Sequence, residues 1–74
     1  MAKLSPLKPR EVISKLKKIG YIVDHISGSH YIMLNPSSKS RIPVPYHAKD
    51  VKTGTLRSII NQTGLSVEEF MKIK

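Results

Sequence analysis

The chain has 74 residues, of which 13 are Lys or Arg and 5 are Asp or Glu, so its formal net charge at pH 7 is +8. It contains no Cys, which excludes disulfide bonds and thiolate zinc sites. No apolar run approaches the ~20 residues of a transmembrane helix, and Lys3 and Pro6 interrupt the first residues, so we expect no membrane insertion, no secretory leader and a cytoplasmic location.

The chain is long enough for one domain, and we assign residues 1–74 to it, with residues 1–8 as an extended lead-in. Most of the excess positive charge precedes residue 60. Such a field attracts polyanions, of which nucleic acid is the commonest in a cell. A solvated basic surface that only maintains solubility is the alternative interpretation.

A first helix is predicted to begin at Pro9, since proline suits the first helical position. Gly20 supplies the left-handed residue that ends a helix. Apolar residues recur between them at helical spacing: Val12, Ile13, Leu16 and Ile19.

Three β-rich segments follow: Tyr21–Ile26, Tyr31–Leu34 and Arg41–Val44. Gly28 and Ser29 form a two-residue hairpin signal, with Gly28 supplying the positive φ of a type II′ turn. Pro43 lacks a backbone donor, so the third strand is expected to lie at a sheet edge or to have this position on its unpaired side.

Alternation within the first strand is imperfect. Simple counting places Ile22, Asp24 and Ile26 on one face, and Tyr21, Val23 and His25 on the other. The counting does not indicate which face is buried.

A second helix is predicted from about Thr53 to Thr63, with Leu56, Ile59 and Ile60 as its apolar stripe and Gly64 as its end. Ser66 and Glu69 form a capping box that opens a short last helix. The expected fold is therefore α+β: α-β-β-β-α, a three-stranded antiparallel sheet with the helices on one face, plus a short C-terminal helix.

Several blocks of this sequence resemble the HicA-type toxins of HicA–HicB toxin–antitoxin pairs. They are Gly28-Ser29-His30, Val44-Pro45-Tyr46-His47, the run from Gly54 to Ser66, and Val67-Glu68-Glu69-Phe70, and the similarity extends from about Lys8 to Phe70. The resemblance implies a fold like a double-stranded-RNA-binding domain. It also implies an endoribonuclease that cleaves mRNA, inhibits translation and is neutralised by a HicB-type antitoxin.

The resemblance assigns catalysis to His30. Imidazole exchanges protons near neutral pH, so His30 is expected to deprotonate a ribose 2′-OH. Candidate RNA-binding residues are Ser29, Lys39, Arg41, His47, Lys49 and Lys52. Each has a structural alternative: Ser29 as a turn residue, the cations as solvated charges, and His47 as a structural, substrate-contacting or second proton-transferring group. His25, beside Asp24, is interpreted as structural.

A metal site is not expected, because few acids and no thiols accompany the three His, and no cofactor is expected. The alternative function is a non-catalytic RNA-binding module of the same fold. A degenerate toxin that retains only partner binding is a third possibility, against which the intact His30 argues.

Overall fold

The computed structural model describes residues 4–46 and 49–74. In chain order its elements are α1 (Pro9–Lys18), β1 (Ile22–Ser27), β2 (His30–Leu34), β3 (Arg41–Pro45), α2 (Thr53–Thr63) and α3 (Val67–Met71). The predicted α+β order is therefore confirmed, including the short C-terminal helix.

Both ends of α1 are stabilised by local hydrogen bonds. Pro9 is the first helical residue, as predicted, and the Lys8 N–H donates to Glu11 Oε1 at 2.9 Å. At the other end Gly20 has φ +104°. Its N–H donates to the Lys17 carbonyl and the Tyr21 N–H donates to the Leu16 carbonyl, which is a Schellman motif.

The sheet is antiparallel with the order β1-β2-β3. Ser27 pairs with His30 across a two-residue turn, in which Gly28 has φ +59° and Ser29 has a negative φ, as a type II′ turn requires. β3 is an edge strand, which confirms the position predicted from Pro43.

The predicted faces of β1 are wrong, because a β-bulge at Asp24 shifts the register. Beyond the bulge, His25 pairs with Ile32, so His25 lies on the same sheet face as Ile22. Ile26 moves to the other face with Val23. One extra residue in a strand moves every later side chain of that strand to the opposite face of the sheet.

The core lies between one face of the sheet and the three helices. Met33, Ile42 and Val44 supply the strand side, in agreement with their shared register. The helix side includes the predicted stripes, with Ile19 only half-buried: Val12, Ile13, Leu16, Leu56, Ile59, Ile60 and Phe70. The opposite sheet face has no buried residue among those described, so we call it the open face.

The segment before α1 pairs with the segment before α2. Leu7 forms an isolated β-bridge with Val51, which places the N-termini of α1 and α2 next to each other.

At α3 the predicted capping box is confirmed, since the Ser66 N–H donates to Glu69 Oε1 at 2.9 Å and the Glu69 N–H donates to Ser66 Oγ at 3.1 Å. Hydrogen bonds to the Glu69 carboxyl from the backbone and then from the side chain of Ser66 hold its pKa below the ordinary value. Lys15 donates to the carbonyl of Met71 at 3.3 Å, so α3 stays against α1.

Candidate functional site

His30 is the first residue of β2, the central strand of the sheet. It pairs with Ser27 on one side and Pro45 on the other. Its side chain is exposed, and it shares the open face with Ile32 and Leu34. The imidazole is therefore accessible to a large substrate while its backbone is held between two neighbouring strands.

The chain around His30 is fastened by one further hydrogen bond. The Tyr46 N–H, just beyond β3, donates to the Ser29 carbonyl in the hairpin turn at 2.7 Å. The turn, the start of β2 and the end of β3 thus form one ordered unit. A catalytic group in such a unit loses little freedom on binding substrate.

A second histidine lies on the same face. His25 pairs with Ile32, which makes it the diagonal neighbour of His30 across the β1–β2 hairpin, ~7–8 Å away at the backbone. His25 Nδ1 is 2.8 Å from Asp24 Oδ2, and the His25 side chain is 55% exposed. The sequence predicts a structural role for His25, and its position next to Asp24 in the sequence is the feature that indicates an oriented imidazole.

The bulge residue Asp24 connects His25 to Arg41. Arg41 Nε donates to Asp24 Oδ2 at 3.3 Å. The hydrogen bonds from His25 and then from Arg41 hold the pKa of the Asp24 carboxyl below its ordinary value. Because Asp24 is an ionised acceptor at neutral pH, Nδ1 of His25 carries a hydrogen, and Nε2 faces away from the pair.

The predicted RNA-binding cations fall in two places, the start of β3 and the connection between β3 and α2. Arg41 pairs with Leu34, which is about 13 Å along β2 from His30, and Lys39 precedes it with φ +63°. Arg41 and His30 therefore lie at opposite ends of β2. Ser29 adjoins His30 directly in the turn.

Lys49 and Lys52 are exposed and follow β3 just before α2 begins. Lys52 is the residue that caps this helix, with an extended backbone. Backbone N–H groups and the dipole at a helix N-terminus add to the attraction for anions. His47 lies outside the described residues.

Within residues 4–46 and 49–74, no three His, Asp or Glu side chains converge as metal ligands would. None of the described helices has the length and hydropathy needed to cross a bilayer. The arrangement consists of two imidazoles on one open face, with Arg41 at the far end of β2 from His30 and Lys49 and Lys52 in the connection between β3 and α2.

The comparisons with known proteins agree with the sequence resemblance. Residues 9–65 match the model of a family described as the HicA toxin of bacterial toxin–antitoxin systems. The match runs from the start of α1 past the end of α2 and includes the turn before His30. Among curated proteins no sequence matches this chain significantly. Because the family match covers well over half of the 74 residues, the chain belongs to the HicA toxin family of bacterial toxin–antitoxin systems.

Proposed function

We propose that this chain is an endoribonuclease that cleaves mRNA and thereby inhibits translation. The observation that carries the proposal is His30: an exposed imidazole at the first position of a central strand, in a strongly basic member of a toxin family. RNA contains its own nucleophile, the 2′-OH, so a positioned proton acceptor is sufficient to start the reaction without a metal ion.

In the proposed reaction, His30 removes the proton of a ribose 2′-OH. The 2′-oxygen attacks the adjacent phosphorus, and the bond from phosphorus to the 5′-oxygen of the next nucleotide breaks. The products are a 2′,3′-cyclic phosphate and a 5′-hydroxyl. A positioned general base contributes ~10²–10⁴-fold to such a rate.

The leaving 5′-oxygen needs a proton. We assign its delivery to His25, which shares the open face with His30 and is oriented by Asp24. Since Asp24 engages Nδ1, Nε2 is the nitrogen that would give the proton. His47, a second candidate for proton transfer from the sequence, is the competing assignment.

Membership of a toxin–antitoxin family implies an antitoxin partner. We propose a HicB-type protein that covers the open face and so separates His30 from RNA. The remaining predicted contacts, from Ser29, Lys39, Arg41, Lys49 and Lys52, would hold the phosphates of the RNA on either side of the cleaved bond.

The test compares the wild type with His30→Ala on an end-labelled RNA, in buffer containing a chelator. We expect the wild type to cleave and arrest growth, and the variant to do neither while it still binds RNA. A 2′,3′-cyclic end should be the first product.

Three results would overturn parts of this proposal. Linear 3′-phosphates at the earliest times would contradict the 2′-OH mechanism, and loss of cleavage in chelator would contradict its independence of metal. Binding without cleavage by the wild type would leave the alternative function, a non-catalytic RNA-binding module.

A further inference from the structure

A groove separates α1 from the end of the sheet that carries His30. It encloses about 300 Å³ and is lined by Arg10, Ile13, Ser14, Lys17, Tyr31 and Tyr46. None of these residues was among the candidates identified from the sequence. The groove lies on the helix side of the sheet, because Tyr31 shares its face with buried Met33 and Val44.

Two stacked rings form one wall of the groove. The centroids of Tyr31 and Tyr46 are 4.4 Å apart, with 24° between the ring planes. Tyr46 is nevertheless 42% exposed, and its backbone is fixed by the bond to Ser29. A large aromatic surface is therefore held ready for another flat group to stack on it.

The opposite wall is cationic. Arg10 and Lys17 are two turns apart on α1, about 10 Å along the helix axis, with Ser14 between them. Within the described part of the chain, neither cation takes part in an ion pair. No acidic residue lines this groove.

We propose that this groove binds one nucleotide of a single-stranded RNA, with its base stacked on Tyr46 and its phosphates held by Arg10 and Lys17. An aromatic platform beside cations is the usual arrangement for single-stranded nucleic acid. A site for an apolar peptide would not need two unpaired cations, and a site for phosphate alone would not need the rings.

The proposal deepens the proposed function and rests on it, since the nucleotide in the groove belongs to the strand that His30 cleaves. Tyr31 and His30 are consecutive and point to opposite faces of β2. A strand that contacts both must therefore pass around the end of the sheet, past the end of β3. The groove would select single-stranded over double-helical RNA, because only an unpaired base can leave the stack to enter it.

The test measures the affinity for a short single-stranded RNA, with every protein carrying His30→Ala so that the RNA stays intact. Relative to that parent, we expect Tyr46→Ala to weaken binding about tenfold, and Tyr46→Phe to restore most of the affinity by keeping the ring. Lys17→Gln should also weaken binding. The matched control is Lys18→Gln, which removes a neighbouring exposed cation of α1 that does not line the groove.

A second arm repeats the series with an RNA containing a scanned abasic position. At the position that enters the groove, the missing base should weaken binding to the parent, and Tyr46→Ala should then have no further effect. Circular dichroism verifies that each variant is folded.

Two outcomes would overturn the groove proposal. If folded Tyr46→Ala binds as tightly as the parent, the groove is not an RNA subsite and is left for a protein partner. If Lys18→Gln weakens binding as much as Lys17→Gln, the attraction is a diffuse charge effect. Cleavage that depends on His30 but not on Tyr46 would support the proposed function and contradict the groove proposal. RNA binding that depends on Tyr46, without cleavage by the wild type, would support the groove as an RNA site and contradict the nuclease activity.

Discussion

The backbone N–H of Tyr46 donates to the carbonyl of Ser29 at 2.7 Å, so the end of β3 is joined to the turn that precedes His30. His30 is then bounded by paired backbone on both sides. The consequence is that the turn, the candidate catalytic residue and the aromatic wall of the groove are not independent. A change in the turn geometry should therefore shift the position of His30.

The turn itself depends on Gly28, whose φ is +59°. Nothing lies within 4 Å of a Cβ added there, so Gly28→Ala introduces backbone strain without a steric clash. We expect it to lower the free energy of unfolding by about 1 kcal/mol, and Gly28→Asn to cost less. Urea titration measures both, and equal stability of all three proteins would show that the turn tolerates another backbone conformation.

If His25 delivers the proton to the leaving oxygen, a better leaving group should restore the cleavage rate of a variant that lacks His25. We expect His25→Ala to slow cleavage of ordinary RNA by ~10²-fold or more. An RNA in which sulfur replaces the bridging 5′-oxygen needs no such proton, so on this substrate the variant should approach the wild-type rate.

The control for this experiment is His30→Ala, which should remain slow on both RNAs because the 2′-OH still needs a base. A His25→Ala protein that cleaves both substrates with the same deficit would indicate a positioning or structural role for His25.

The Asp24 carboxyl should titrate below its ordinary value of 3.8, because the hydrogen bonds from His25 and Arg41 favour its ionised form. A pKa that is lower in the folded state stabilises the fold above the unfolded value, and that stabilisation is lost as pH falls through the folded value. The contacts of Asp24 with His25 and Arg41 therefore add to the free energy of unfolding near neutral pH, and this contribution is lost in acid.

NMR titration of the carboxyl carbons checks this expectation. His25→Ala and Arg41→Ala should each raise the pKa of Asp24. Glu69, whose pKa is lowered by bonds from Ser66 instead, provides the internal reference and should not move. An unchanged Asp24 in both variants would mean that the two contacts are absent in solution.

Lys49 and Lys52 should make phosphate contacts that do not depend on RNA sequence. Each phosphate contact with single-stranded nucleic acid contributes about 0.7 to the slope of log affinity against log salt concentration. In proteins that all carry His30→Ala, so that the RNA stays intact, we expect Lys49→Gln and Lys52→Gln each to weaken binding and to reduce the slope by about that amount.

Lys72→Gln is the matched control for the salt series, because Lys72 is an exposed lysine at the end of α3. Its slope should equal that of the His30→Ala parent. Identical slopes for all four proteins would place Lys49 and Lys52 outside the RNA interface.

The sequence alone was sufficient for the features that depend on local hydrogen bonds. The start of α1 at Pro9, the glycines that end α1 and α2, and the Ser66 capping box all lie where they were predicted. Each depends on residues within one helical turn of one another, so spacing carries the information. The hairpin before His30 was predictable for the same reason.

Tertiary structure decided what depends on residues far apart in the chain. The bulge at Asp24 arises from the register between two strands, which periodicity within one strand does not contain, and it alone brings His25 to the face of His30. The groove joins α1 to Tyr31 and Tyr46, so its two walls meet only when the helix packs on the sheet. The sequence shows which chemical groups the chain carries. Strand register and packing determine which of these groups lie on the same surface.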